Sequence, residues 1–170
     1  MSFRKSVKPA VLAALLCILC ILCACEKNAD GNLKCSLSVT CETALGKITD
    51  ASIVPEDGVI FSKNDVSFSE GESVFDVLLR EMRENGIHME FVNTPLYNSA
   101  YVEGINNLYE FDCGELSGWM YKVNGIFPNY GSSLYFLCDG DKIEWIYTCD
   151  LGKDVGGEES ARNGMEKNEK

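Results

Sequence analysis

The chain has 170 residues, with 15 Lys and Arg against 26 Asp and Glu, a single His and a formal charge of −11. So acidic a chain is a poor partner for nucleic acid or anionic lipid headgroups, both of which need a basic footprint. Its length suits about one domain with a core of its own.

Arg4, Lys5 and Lys8 form a cationic head, an uncharged apolar run extends from Ala10 to Ala24, and no acidic residue precedes Cys25. This is the layout of a secretory signal, and its apolar run is shorter than the ~20 residues of a membrane helix. The run ends in Leu22-Cys23-Ala24-Cys25, which resembles the lipobox of bacterial lipoproteins. Residues 1–24 are therefore expected to be cleaved, leaving Cys25 as a lipid-bearing N-terminus on the extracytoplasmic face of the cell membrane. Residues 25–32 then form a polar tether. Removing the signal takes away three basic residues and no acidic one, so the acidic excess grows from 11 to 14.

Of nine cysteines, Cys17, Cys20 and Cys23 leave with the signal and Cys25 is the lipid site. Cys35, Cys41, Cys113, Cys138 and Cys149 remain, an odd number in a compartment where thiols oxidise. None of these five forms Cys-x-x-Cys, so neither a zinc knuckle nor a thioredoxin-type pair is indicated. On one extended strand Cys35 and Cys41 stand roughly 20 Å apart, beyond the ~7 Å limit between disulfide-bonded Cα atoms.

Leu33, Cys35, Leu37, Val39 and Cys41 alternate with polar residues, the pattern of a strand with one buried face. Pro55-Glu56-Asp57-Gly58 marks a turn, followed by short strands at Val59–Phe61 and Val66–Phe68. Ser73-Val74-Phe75-Asp76 has the form of a capping box, opening an amphipathic helix with Phe75, Leu78, Leu79 and Met82 on one face. Asp76, Arg80, Glu81, Arg83 and Glu84 are expected on the other, and Asn85-Gly86 is a suitable stop. Ile87, Met89 and Phe91 alternate in a strand, and Asn93–Asn107 reads as a Tyr- and Asn-rich connection. Trp119, Tyr121 and Val123 alternate before a hairpin-type Asn124-Gly125 turn, and Ile143, Trp145 and Tyr147 alternate after Asp139-Gly140. From Lys153 to Lys170 almost nothing is apolar, as in a disordered acidic tail.

One helix among several strands makes the fold class α+β, with a β-grasp-like mixed sheet over residues 33–152. In that arrangement the first and last strands lie side by side and parallel in the middle of the sheet. Cys41 and Cys149, each at the far end of its strand, then form a candidate disulfide, with Cys35 and Cys138 the next pair and Cys113 the odd thiol.

Several stretches together carry a family resemblance. They are Glu72-Ser73-Val74-Phe75-Asp76-Val77-Leu78, Tyr109-Glu110-Phe111-Asp112-Cys113-Gly114, Ser117-Gly118-Trp119-Met120-Tyr121-Lys122-Val123-Asn124-Gly125, Pro128-Asn129-Tyr130-Gly131 and Asp139-Gly140-Asp141-Lys142-Ile143-Glu144-Trp145. Tyr147-Thr148-Cys149-Asp150-Leu151-Gly152 completes the pattern. The chain resembles the transcobalamin-like C-terminal domain family, bacterial domains related to the small β-domain that closes over cobalamin in transcobalamin and intrinsic factor. The resemblance implies the β-grasp-related fold and a cobalamin or other corrinoid ligand, with no resident cofactor. No helical barrel like that of those carriers is expected in residues 25–170, left after the signal, so only half of their cavity would be on offer. Met82 stands where related sequences often have a cysteine; if that cysteine normally pairs with Cys113, the odd count is explained.

The residues themselves suggest a binding site in Trp119, Tyr121, Asn124, Phe127, Asn129, Tyr130 and Tyr135, where flat rings beside amides suit a planar ligand with polar edges. The bland reading places Trp119 and Tyr121 in a hairpin core and the asparagines in turns. The alternative function is a surface module that docks another protein, for which Tyr97, Tyr101 and Tyr109 would serve. Catalysis is not expected: His88 is the lone histidine on an exposed strand face, Asp139 and Asp141 flank a turn glycine, and no nucleophile or phosphate motif is present. No metal site is expected.

Overall fold

The computed structural model describes residues 33–94 and 99–157. The lipobox with Cys25, the tether and residues 158–170 lie outside the described residues, as does Tyr97. Seven strands and one helix follow in order: β1 (Leu33–Thr40), β2 (Val59–Phe68), α1 (Val74–Glu84), β3 (Met89–Thr94), β4 (Ser99–Ile105), β5 (Leu108–Tyr109), β6 (Gly118–Val123) and β7 (Lys142–Thr148). No helix among the described residues is long and apolar enough to cross a membrane.

The main sheet has the order β2-β1-β7-β6. Its two central strands, the first and last of the chain, run parallel, with Leu37 opposite Ile143 and Val39 opposite Trp145. Both outer strands pair antiparallel to their neighbours. This is the mixed α+β arrangement expected from one helix among strands. A second antiparallel sheet, β3-β4-β5, completes the domain.

The alternation in β1 buries Cys35, Leu37 and Val39 and leaves Lys34 exposed. In β2 the two short strands read from sequence are one strand of ten residues. Cys35 faces Val66 while Leu37 faces Lys63, so β2 spends one more residue than β1 over that interval. The bulge breaks the period-two pattern at Lys63–Asp65, which is why the sequence shows two fragments.

Helix α1 begins as its sequence demands. Ser73 Oγ accepts from the Asp76 amide at 3.2 Å while the Asp76 carboxylate accepts from the Ser73 amide at 2.9 Å. Val74, Phe75, Val77, Leu78 and Met82 are buried in the core shared with β1, β7 and β4. Phe75 meets Phe91 of β3 edge to face with centroids 4.8 Å apart. Gly86, at φ 68°, ends the helix. Glu81 departs from its expected place on the solvated face. It is 2% exposed and salt-bridged at 2.9 Å to Lys63, which the β2 bulge brings over the helix. A buried carboxylate of this kind is tolerable only with such a partner.

Strand β4 replaces most of the connection expected over 93–107. Its inward positions are Ala100, Val102 and Gly104, two of them too small to register as a hydrophobic period. The ring of Tyr109 lies over Gly104, where a Cβ would come within 2.6 Å of it. Asn106 and Asn107, at φ 54° and 60°, form the two-residue turn that pairs Ile105 with Leu108.

Candidate functional site

Asn124-Gly125 makes a left-handed two-residue turn (φ 53° and 79°) closed by the single pair Val123–Ile126. The hairpin goes no further, since Pro128 follows and β6 takes β7 as its ladder partner. The chain instead makes a long aromatic loop, residues 126–137, before returning to β7.

That loop is pinned at many points. Tyr121 OH donates to the Tyr130 carbonyl at 2.7 Å, and the Ala100 amide donates to Ser133 Oγ at 3.1 Å. The Val74 amide donates to the Tyr135 carbonyl at 2.9 Å and Leu137 N to the Glu72 carbonyl at 3.1 Å, tying the loop to the start of α1. A short 3-10 turn, Ser132–Leu134, crosses β4 there. A side chain at Gly131 would collide with Ser99, so the approach of loop to strand depends on glycine.

The seven residues singled out from sequence separate into three groups. Trp119 and Tyr121 are core residues, each 8% exposed. Trp119 Nε1 donates to the Leu108 carbonyl at 2.9 Å and its ring meets Tyr147 at 5.2 Å, so it is spent on packing. Burial raises the Tyr121 phenol well above its ordinary range. Inward alternation along β6 buries both, and neither offers a face to a ligand. Asn124 serves its turn, with Nδ2 donating to Asp141 Oδ1 and Oδ1 accepting from the Lys142 amide. Asn129 is exposed on the loop. Phe127, half-buried, lies under the Lys122 ammonium at 4.7 Å.

Tyr130 and Tyr135 do form a surface feature. Their rings stack 15° from parallel with centroids 5.9 Å apart, and Tyr135 meets the buried Tyr121 edge to face. Tyr121 in turn packs at 5.5 Å on Trp145, whose indole N–H has no hydrogen-bond partner among the described residues. The loop exposes Phe136 (62%), Ile126 (55%), Tyr130 (47%) and Leu134 (40%). The sequence reading missed Phe136, Ile126 and Leu134. For Leu134 and Phe136 the signal was an apolar run, Leu134–Leu137, between turn residues, which looks the same whether it is buried or not. The exposed rings of this candidate site therefore lie on loop 126–136 and not on β6, where Trp119 and Tyr121 are buried.

A second exposed apolar cluster lies at the other end of the main sheet. Leu151 N donates to the Leu116 carbonyl at 2.9 Å, and Phe111 N to the Ser117 carbonyl at 3.1 Å. Phe111 and Leu151 both have positive φ, 70° and 46°, and are 61% and 67% exposed.

His88 bonds Glu90 and the Tyr109 hydroxyl, each at 3.1 Å, and is half exposed. Asp139 accepts from the Lys34 amide and Asp141 from the Cys138 amide and Asn124, so both act as turn acceptors. Among the described residues no group of three or more His, Cys, Asp or Glu is placed to hold a metal. A shallow depression lined by Asp76, Leu79, Arg80, Arg83 and Glu84 lies on the solvent side of α1. The five described cysteines are free thiols. Cys35 Sγ is directed to the Val66 carbonyl and Cys41 Sγ to the Gly58 carbonyl, while Cys138 is exposed. The tail expected from Lys153 opens with an ordered turn, Lys153–Val155, in which Asp154 accepts from Thr148 Oγ1 and the Cys149 amide.

Residues 71–148, less than half of the chain, match a family described as a domain of unknown function (DUF4430). No curated protein matches the sequence. Among solved structures the fold is similar to part of haptocorrin, crystallised in complex with Cbi, with 17% identity and a TM-score of 0.50. That likeness covers 70% of this chain and 25% of haptocorrin, so the chain corresponds to about a quarter of that protein. A protein from Ruminococcus gnavus ATCC 29149, for which metal binding has been suggested, aligns over 68% of this chain and 96% of its own at 15% identity. Its TM-score of 0.42 is too low to bear on function. The chain is therefore similar in fold to a segment of haptocorrin, and its central part matches a family without an assigned function.

Proposed function

We propose that this chain is a lipid-anchored, extracytoplasmic binding domain whose loop 126–136 receives a small ligand with a broad apolar face and polar edges, a corrinoid above all. The observation that carries the reading is the stacked Tyr130–Tyr135 pair. The loop that carries it also exposes Phe136, Ile126 and Leu134, and a domain with no partner gains nothing from exposing so much apolar surface. Loops that are fixed before binding lose little entropy when a ligand arrives. The similarity in fold to haptocorrin in complex with Cbi supports the choice of corrinoids as first ligands. The domain offers an open face, so the ligand's other side stays in solvent or meets a second protein.

Titration calorimetry of residues 25–170, with Cys25→Ser to prevent acylation, tests the reading against cobalamin and cobinamide. Micromolar or tighter binding is expected, weakened about tenfold or more by Tyr130→Ala or Phe136→Ala with the fold intact. Trp119→Ala is not a suitable probe, since it empties the core. Absence of heat from a folded sample would refute corrinoid binding and favour a protein-docking module built on Phe111, Leu116 and Leu151. The anchor is tested separately in cells making the full chain. The wild type is expected to partition into detergent phase and incorporate labelled fatty acid, and Cys25→Ser to do neither; equal partitioning of the two would remove the anchor from the reading.

A further inference from the structure

We propose that Cys113 and Cys149 are the pair of cysteines in this domain that oxidises to a disulfide, clamping the 109–117 loop to the end of β7. The parallel pairing of β1 and β7 brings their C-terminal ends together, and three of the five thiols gather there. The expectation from strand order alone was that Cys41 would meet Cys149. The structure instead folds the loop after β5 over that corner. Tyr147 OH donates to the Tyr109 carbonyl at 2.6 Å and lies 3.0 Å from Ser117 Oγ, and Leu151 N donates to the Leu116 carbonyl at 2.9 Å. Between these ties the Cys113 amide is fixed on Ser117 Oγ at 3.1 Å and the Cys149 amide on the Asp154 carboxylate at 2.8 Å.

Cys113 and Cys149 both pack against the core at this corner, and their thiols are close enough to interact. Cys149 Sγ also reaches the Thr43 carbonyl at 3.3 Å, and the exposed Lys47 ammonium is near enough to interact with it. Both cysteines are partly exposed and open to an oxidant. The other three are poorly placed for the reaction. Cys35 and Cys41 are 2% and 0% exposed with their thiols directed to the Val66 and Gly58 carbonyls. Cys138 sits beside Asp139 and the start of β1, at the opposite end of the sheet. Both backbones are already held in place, so closing the bond orders nothing further.

The chemistry is thiol–disulfide exchange with a low-molecular-weight or protein disulfide. The Cys149 thiolate, beside the Lys47 charge, attacks one sulfur of the oxidant, forming a mixed disulfide and expelling one thiolate. Cys113, whose thiol is pushed up to about 11 chiefly by burial, loses its proton to solvent and attacks the Cys149 sulfur, expelling the second. Two protein thiols are oxidised, one external disulfide is reduced to two thiols, and no other reactant is needed. In the cell the oxidant depends on the extracytoplasmic location proposed above; the pairing itself does not.

The test equilibrates reduced residues 25–170, with Cys25→Ser, in glutathione disulfide, followed by alkylation and non-reducing peptide mapping. A peptide linking Cys113 to Cys149 is expected, with Cys35 and Cys41 alkylated only after denaturation and Cys138 alkylated or glutathionylated in the native protein. Oxidation is expected to raise Tm by on the order of 10 °C, reversibly with reductant, and to do so in neither Cys113→Ser nor Cys149→Ser. A Cys41–Cys149 link, or two alkylatable thiols at 113 and 149 after equilibration, overturns the proposal. Because the reaction is run with purified protein, its failure is distinguishable from failure of the anchor or of corrinoid binding.

Discussion

Tyr147→Ala is expected to leave the domain unfolded or barely folded, with a loss of ~4 kcal/mol or more in urea titration at neutral pH. Tyr147 is fully buried and is the largest side chain in the core that is. Its ring packs edge to face on Trp119, and its hydroxyl donates to the Tyr109 carbonyl while sharing a hydrogen bond with Ser117 Oγ. Truncation therefore opens a cavity and strands two polar groups at once. Tyr147→Phe separates the two effects. It keeps the volume and should cost ~1–2 kcal/mol, the usual consequence of leaving buried partners unsatisfied. The same pair reports on alkaline pH. Burial pushes the Tyr147 phenol up from 10.0 to about 12, so the folded state holds its proton where the unfolded chain has lost it. The tyrosine's contribution is complete below pH ~10 and is lost as pH rises towards ~12. Cys35 and Cys41, raised by burial from 9.0 to about 11, begin the decline earlier, near pH 9. Stability of Tyr147→Phe should fall less steeply above pH 10, by one proton. Parallel curves for wild type and Tyr147→Phe would show that this phenol does not couple to folding.

Gly131→Ala should displace the aromatic loop while leaving the rest of the domain folded, at a cost of ~2–3 kcal/mol. Gly131 has an ordinary extended backbone, φ −68° and ψ 150°, so conformation is not the constraint. Space is. A Cβ there would stand 1.7 Å from Ser99 Oγ and 2.4 Å from Ser99 Cβ. Rotating the hydroxyl relieves the first clash but not the second. The expected result is loss of the Ser133–Ala100 hydrogen bond, altered tyrosine signals at 130 and 135, and loss of any corrinoid binding. Ser99→Gly in the same chain removes both clashing atoms and should restore the loop, a non-additivity of ~1–2 kcal/mol between adjacent sites. If Gly131→Ala alone leaves stability and tyrosine spectra unchanged, the loop is softer than its contacts imply.

Residues with strictly local instructions were legible in advance. The Ser73–Asp76 capping box, the Asn85-Gly86 stop and the alternation of β1, β6 and β7 each appear where their residues demand, because a cap or a pleat is satisfied by neighbours a few positions away. The central parallel pairing of β1 and β7 also followed, from the number and order of elements. Strand β4 did not, since Ala100 and Gly104 carry no hydrophobic signal, and the Asn106-Asn107 turn that confirms it was read as loop composition. Glu81 looked solvated because its partner, Lys63, is brought to it only by a bulge in another strand.

The aromatic site shows the same division most sharply. That rings cluster between turn residues in the segment after β6 is legible in the sequence itself. Which rings face outward was decided only by tertiary structure. Trp119 and Tyr121 are buried and Tyr130, Leu134 and Phe136 exposed, although all are aromatic or apolar. A strand position is buried by whatever packs on its face, here the core of α1 and β7, whereas a loop position is exposed when pins such as Ser133–Ala100 and Val74–Tyr135 hold its backbone and leave its side chains uncovered. The neighbourhood of Cys149 has the same origin. Strand order brings the ends of β1 and β7 together, but only the fold of the 109–117 loop, held by Tyr147 and Leu151, decides that the thiol beside it is Cys113.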